Sequence, residues 1–416
     1  MNPDYVVFTE EMKKTHTILV PNMLPWHFQM LIHVFRSEGF RMELLTSDGP
    51  KIRETGLKYV HNDTCYPAIL VIGQFLEALQ SGRYDPDRVA LILFQTGGGC
   101  RASNYIYLLR KALLKAGFPQ VPVISLSFRS MENHPGFRLS LRTWHRLVYA
   151  VLYGDLLLSL VNQVKPYENH PGDAERLAEH LARDLSAERV SLRIAKHRYL
   201  DILNSFAAIP MTRTKKVQVG IVGEIYVKFS PLGNNHLEQM LVDQGAEVTI
   251  PGLLDFVLYC VYNAVMDYKL YHKAPLRYPA AKAIYSFVTQ VKRDLIEIIQ
   301  SHGVFRAPVP FEHTVELIQT HIGMGCQMGE GWLLPAEMLE LADSGVPNIV
   351  CTQPFGCLPN HIVGKGMMKP LKACCPEINI VAVDYDASAS HVNQENRIKL
   401  MLSNARKNLE REETAG

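Results

Sequence analysis

The sequence predicts an α/β fold: two doubly wound parallel-sheet lobes joined by a helical connector, with a helical insertion in the second lobe. Three observations carry the prediction. Short apolar runs alternate with amphipathic segments of helix length from Thr17 to about Phe128, the alternation restarts at Val217, and the stretch between has helical periodicity.

In the first lobe, residues 1–135, Thr17-Ile-Leu-Val-Pro reads as a strand and Trp26 to Glu38 as a helix stopped at Gly39. Met42-Glu-Leu-Leu-Thr follows as a strand, then a helix from Pro67 to Leu79 and a buried strand from Val89 to Phe94. A helix from Asn104 to Ala116, closed by Gly117, leads to the strand Val121-Pro-Val-Ile-Ser-Leu-Ser. Crossovers of this length give a Rossmann-like parallel sheet. Residues 136–212 form the connector, densely charged from Asp173 to Lys196 as a solvated helix pair is. The second lobe, residues 213–416, opens with Val217-Gln-Val-Gly-Ile-Val-Gly, continues with a helix from Asn235 to Gly245, and inserts long helices over about 253–301. A helix from Leu334 to Leu341 precedes the strand Asn348-Ile-Val-Cys-Thr; a strand from Ile378 to Val383 and a helix from Val392 to Glu410 complete it.

The chain has 416 residues, 47% of them apolar, enough for two domains with substantial cores. Lys+Arg number 43 against Asp+Glu 41, and no basic tract marks a nucleic-acid footprint, so a small molecule or protein is the expected partner. Met1 to Lys14 lacks the apolar core of a signal peptide, and the most apolar run, Leu147 to Val161, is broken by Asp155 and shorter than the roughly 20 residues of a membrane span. The expectation is a cytoplasmic protein with no membrane partner. Eight cysteines in a reducing compartment are buried thiols, ligands or nucleophiles rather than disulfides.

Three cysteines share a context. Cys65 lies in Asn-Asp-Thr-Cys-Tyr-Pro, Cys100 in Gly-Gly-Gly-Cys-Arg and Cys357 in Pro-Phe-Gly-Cys-Leu-Pro. Each occupies a Gly- or Pro-rich turn beside a strand end or helix start, where doubly wound folds collect ligands. Amides of Gly97, Gly98 and Gly99 form a candidate anion nest, and a helix starting after Cys65 or Cys100 would favour thiolate. Dispersed cysteines are also compatible with buried structural thiols, since no compact Cys-x-x-Cys run is present.

The segments Asn62-Asp-Thr-Cys-Tyr-Pro-Ala, Gln95-Thr-Gly-Gly-Gly-Cys-Arg-Ala-Ser-Asn-Tyr, Gly329-Glu-Gly-Trp and Gln353-Pro-Phe-Gly-Cys-Leu-Pro-Asn-His resemble the 2-hydroxyacyl-CoA dehydratase superfamily, most closely the dehydratase-like portion of activase-related proteins. The likeness runs from about Pro21 to Leu402, and the Cys357 motif is its most specific part. It implies a 4Fe-4S cluster held by Cys65, Cys100 and Cys357, with one iron left open for an acyl-CoA substrate. It further implies radical dehydration driven by a low-potential electron from a separate ATP-dependent iron-sulfur activator, and a homo- or heterodimer. The sequence has no Gly-x-x-x-x-Gly-Lys-Ser/Thr loop, and Gly220-Ile-Val-Gly-Glu is not a full dinucleotide turn, so ATP hydrolysis is assigned to the partner. The resemblance equally allows reduction of a small molecule at that open iron; alternatives are a double-cubane 8Fe-9S cluster reductase, a non-catalytic carrier or electron-transfer subunit, and a zinc-stabilised or simply cysteine-containing sugar or nucleotide binding protein.

Cys326, in Gly-Met-Gly-Cys-Gln-Met-Gly, is a candidate further ligand or a loop thiol. Cys351 alternates into a strand core, Cys260 lies in an apolar helix, and the vicinal Cys374 and Cys375 suit a surface turn. Glu330 and His361 are the candidate proton-transfer residues, since expelling hydroxide needs an acid, although Asn360-His361 also suits a helix cap. Glu224, Tyr226, Lys228, Asn234, Asn235 and His236 are candidates for the cleft, with Asn234 alternatively a helix N-cap. Arg101 is placed to offset cluster charge or meet a carboxylate or phosphate.

Overall fold

A computed structural model describes residues 6–61, 63–95, 99–127, 132–187 and 192–415. The first lobe contains β1 (Thr17–Pro21), β2 (Arg41–Leu45), β3 (Val89–Gln95) and β4 (Val123–Ser127), in the order β2-β1-β3-β4, all parallel. Its helices are α1 (Glu10–Thr15), α2 (Pro25–Ser37), α3 (Pro50–Tyr59), α4 (Tyr66–Gln80) and α5 (Tyr105–Ala116). Gly117 closes α5 in the left-handed conformation, as its position in the sequence predicts. The connector is α6 (Leu141–Val164), α7 (Asp173–Ala187) and α8 (Leu192–Ala207).

The second lobe repeats the arrangement. Its strands β5 (Val217–Gly223), β6 (Ala246–Thr249), β7 (Asn348–Pro354) and β8 (Asn379–Tyr385) are parallel, in the order β6-β5-β7-β8. Around them lie α9 (Ile225–Phe229), α10 (Pro231–Asn234), α11 (Leu237–Asp243), α12 (Leu253–Tyr271), α13 (Tyr278–His302), α14 (Phe311–Ile318), α15 (Leu333–Asp343), α16 (Gly366–Cys374) and α17 (His391–Ala415). A π-helical turn, Asn360–Lys365, precedes α16. Two helices, α12 and α13, form the expected insertion, whereas α1, α3, α9, α10, α14 and β6 lie outside the sequence reading. The helix expected from Asn235 begins at Leu237, because Asn235 and His236 are both left-handed.

Asp155 ties the parts together. It stands on α6, accepts the N–H groups of Leu253 and Leu254 at 2.8 Å each at the start of α12, and meets Nε2 of buried His27 on α2 at 2.8 Å. One carboxylate thus joins first lobe, connector and second lobe. Asp155 breaks the apolar run but not the helix that carries it, which extends over 24 residues. Among the described residues α6 is the one helix long and apolar enough to cross a membrane, and 83% of its most apolar window is packed inside the fold.

Replacing Asp155 with Ala should cost about 3 kcal/mol, because two helix-start amides and an imidazole lose a charged acceptor. Urea unfolding would show it; a loss under about 1 kcal/mol would mean the carboxylate is not the tie described.

Candidate functional site

A parallel sheet opens a crevice where the chain turns from one side of the first strand to the other. In the first lobe that point lies between β1 and β3, and in the second between β5 and β7. Cys100 follows β3, Glu224 follows β5 and Cys357 follows β7, while Cys65 immediately precedes α4. The crevices are apposed: Tyr66 N–H donates to the Phe355 carbonyl at 3.0 Å, linking the turn of Cys65 to the turn of Cys357. Gly356 makes this approach possible, since it is left-handed (φ 73°) and a Cβ there would stand 3.1 Å from Cys65 Cα.

One pocket results, with about 370 Å³ of empty space opening to solvent. Its lining includes Cys65, Cys100 and Cys357 together with Tyr105, Glu224 and Glu330. Each sulfur has a polar partner. The Tyr105 hydroxyl lies 2.7 Å from Cys65 Sγ, Ala102 N–H donates to Cys100 Sγ at 3.5 Å, and Asn360 Nδ2 donates to Cys357 Sγ at 3.3 Å. Ala102 and Tyr105 are so placed because a 3-10 turn, Arg101–Asn104, leads from Cys100 into α5. The expected nest residues Gly97 and Gly98, and Asn62 of the Cys65 motif, lie outside the described residues.

Burial governs the electrostatics. It pushes the Cys65 thiol up from 9.0 to about 11, against the stabilising Tyr105 hydroxyl. Burial, then the charge of Glu330, raise Cys100 to about 12, and the same causes with Glu224 hold Cys357 far above the ordinary range. Burial followed by Glu330 also lifts the Glu224 carboxyl to about 8, so it carries a proton at neutral pH. Glu330 is raised by burial, opposed by the Ile225 N–H at 3.0 Å and by the charge of Lys228. Its other oxygen accepts from Asn360 at 3.3 Å, so Asn360 bridges Glu330 and Cys357. Left-handed Gly331 fixes this loop: a Cβ there would meet the Cys326 carbonyl at 2.2 Å.

Of the sequence candidates, the three turn cysteines and Glu330 meet in the pocket, with Glu224 and Arg101. Arg101 is exposed and donates to the Asp63 carbonyl at 2.5 Å, which turns it along the rim. His361 is exposed on the π-helical turn and is not a lining residue. Cys326 also lies outside the lining, half-buried against the core. Cys351 is buried in β7, as its alternation predicts, Cys260 is half-buried against the same core, and Cys374 and Cys375 sit at the end of α16 with sulfurs 3.7 Å apart. Lys228 turns away from the pocket to Glu337 at 2.9 Å, and His236 pairs with Asp48 of the first lobe at 2.9 Å. Asn234 ends α10 rather than standing at the N-cap of α11, a position His236 takes, but its side chain accepts Leu237 N–H at 3.1 Å at the start of that helix. Sequence reasoning missed Tyr105 and Asn360 as sulfur partners; Tyr105 closes one quoted motif stretch and Asn360 is the penultimate residue of another, each beside a cysteine turn, which was the available signal.

Among the described residues, no three His, Cys, Asp or Glu side chains are gathered tightly enough to hold one metal ion. Ligands of a polynuclear cluster bind different metals and stand further apart. No protein-family model and no curated protein matches the chain.

In the metal-free chain, the fold favours protonated Cys65 and Cys100, because their folded values lie above the unfolded one. That contribution is complete below about pH 9 and is lost as pH rises through the folded values near 11 and 12. Iodoacetamide at pH 7.5 should therefore label exposed Cys374 first and Cys65 and Cys100 at least about tenfold more slowly. Mass spectrometry reads the order, and equally fast labelling of Cys65 would contradict the sealed, protonated thiol.

Proposed function

We propose that the pocket holds a 4Fe-4S cluster on Cys65, Cys100 and Cys357, and that the chain is the cytoplasmic dehydrating component of a 2-hydroxyacyl-CoA dehydratase-type system. The observation that carries the reading is convergence: three cysteines from three separate turns line one cavity, each sulfur with its own polar partner. The donor set suits iron bound through thiolates, and hydrogen bonds to sulfur are what tune such a group. When bound, the cluster would supply a low-potential electron to an acyl-CoA substrate, delivered by an ATP-dependent iron-sulfur activator.

The remaining work falls to the chain. Expelling a hydroxyl requires a proton at the departing oxygen, and Glu330 is the donor best placed, with Asn360 orienting its carboxyl. Glu224, held protonated beside it, keeps the pocket wall neutral and is the second proton source. Exposed Phe355 and Leu358 beside the Cys357 turn give a substrate or protein partner an apolar rim. Two buried carboxyls in the pocket favour catalysis over a carrier, which has no use for a proton donor. A double cubane needs more thiolates than the three cysteines in the pocket lining.

Anaerobic protein should contain about four irons and four sulfides, lost in Cys65→Ala, Cys100→Ala and Cys357→Ala and retained in Cys326→Ala. Iron content unaffected by the first three variants would refute the site. With activator, ATP and reductant, a panel of 2-hydroxyacyl-CoA compounds should give an enoyl product, and Glu330→Gln should lower kcat about 100-fold at full iron content.

A further inference from the structure

Behind the pocket lies a second set of ionisable groups that the proposed chemistry does not touch. Lys228, Glu337, Asp255, Lys292 and Glu340 are only 3, 2, 4, 5 and 8% exposed, so water cannot carry their charges. They come from four elements. Lys228 of α9 donates to Glu337 of α15 at 2.9 Å, and Lys292 of α13 donates to Asp255 of α12. Glu340, one turn beyond Glu337 on α15, accepts from Thr314 of α14 at 2.6 Å. Glu330 lies in the turn just before the same helix, and Lys228 is the charge that opposes its burial.

The charges do not balance. Glu330, Glu337, Glu340 and Asp255 face Lys228 and Lys292, so four carboxyls share two ammonium groups, and further titratable neighbours, Glu224 beside Glu330 and the Cys351 thiol beside Glu337, add no positive charge. Asp155 faces Asp255 and Lys292 from α6, but its own charge is taken up by the α12 amides and His27. A buried carboxylate without a partner is costly, and the economical state of such a set keeps the surplus carboxyls protonated. Burial accordingly raises both Glu337 and Glu340 to about 7.

We propose that Glu337 and Glu340 form a proton store behind the pocket, which returns to Glu330 the proton that it gives up in turnover. The inference rests on the reading of Glu330 as proton donor. Glu330 becomes a carboxylate when its proton leaves with the departing hydroxyl as water. A proton from the store restores it, and the carboxylate left on α15 is held by Lys228 and Lys292 until a proton arrives from solvent. No electron moves in this exchange. Glu337 and Glu340 are positioning residues, since they act through Glu330.

Two readouts test the store on anaerobic full-length protein. Infrared spectra at pH 7 should show protonated carboxyl absorption that is reduced in Glu337→Gln and again in Glu340→Gln. In the dehydration assay, each variant should keep KM and lose about tenfold in kcat at and below neutral pH, where the wild-type store is loaded, with a smaller loss above it, where the store is already deprotonated. No protonated absorption, or absorption unchanged in both variants, overturns the store. Absorption lost while the kcat–pH profile stays that of wild type overturns the supply to Glu330. If wild type turns over no acyl-CoA, the reading of the pocket fails, and loss or persistence of the infrared signal alone supports or overturns the store. Should Glu337→Gln fail to fold, the charge-balanced double variant Lys228→Gln with Glu337→Gln takes its place.

Discussion

Everything at the pocket depends on two lobes being held face to face, and the Asp155 carboxylate is the interaction that does so from within. It stands on the long apolar helix of the connector, where a charge would be unsupportable without the two amides and the imidazole that surround it. Its partners belong to both lobes, so satisfying this partly buried charge ties the two together. The crevices at the two sheet switch points then face each other, and turns remote in sequence become walls of one cavity.

The second constraint is electrostatic. Thiols and carboxyls share a largely buried space, so each raises its neighbours, and Cys65, Cys100 and Glu224 all carry their protons at neutral pH. The proposed iron would reverse that preference, because thiolates and metal neutralise one another. The same physics extends behind the wall, where carboxyls outnumber lysines.

Alternating apolar runs, Gly stops and Pro starts made the doubly wound architecture legible, because buried parallel strands and their crossover helices impose those patterns directly. The three cysteine turns were legible for a related reason: each lies at an element end. Other features left no local mark. Helix α3 has few apolar positions, and its packing relies on Gly56, whose missing side chain admits the Ile69 carbonyl. Asn360 and Tyr105 act through tertiary proximity, and the direction in which Lys228 points is decided by Glu337, far away in sequence. His361 shows the converse: a suitable side chain beside a key cysteine faces solvent because the π-helical turn rotates it outward.

The bond between Tyr66 and Phe355 bears on how the two turns are held. It joins the neighbours of two proposed ligands through backbone alone, and no sulfur takes part in it. In small metal-nucleated domains, binding and folding are one event. Here the approach of the two turns is made by main-chain groups, so it is separable from the chemistry of the side chains they carry.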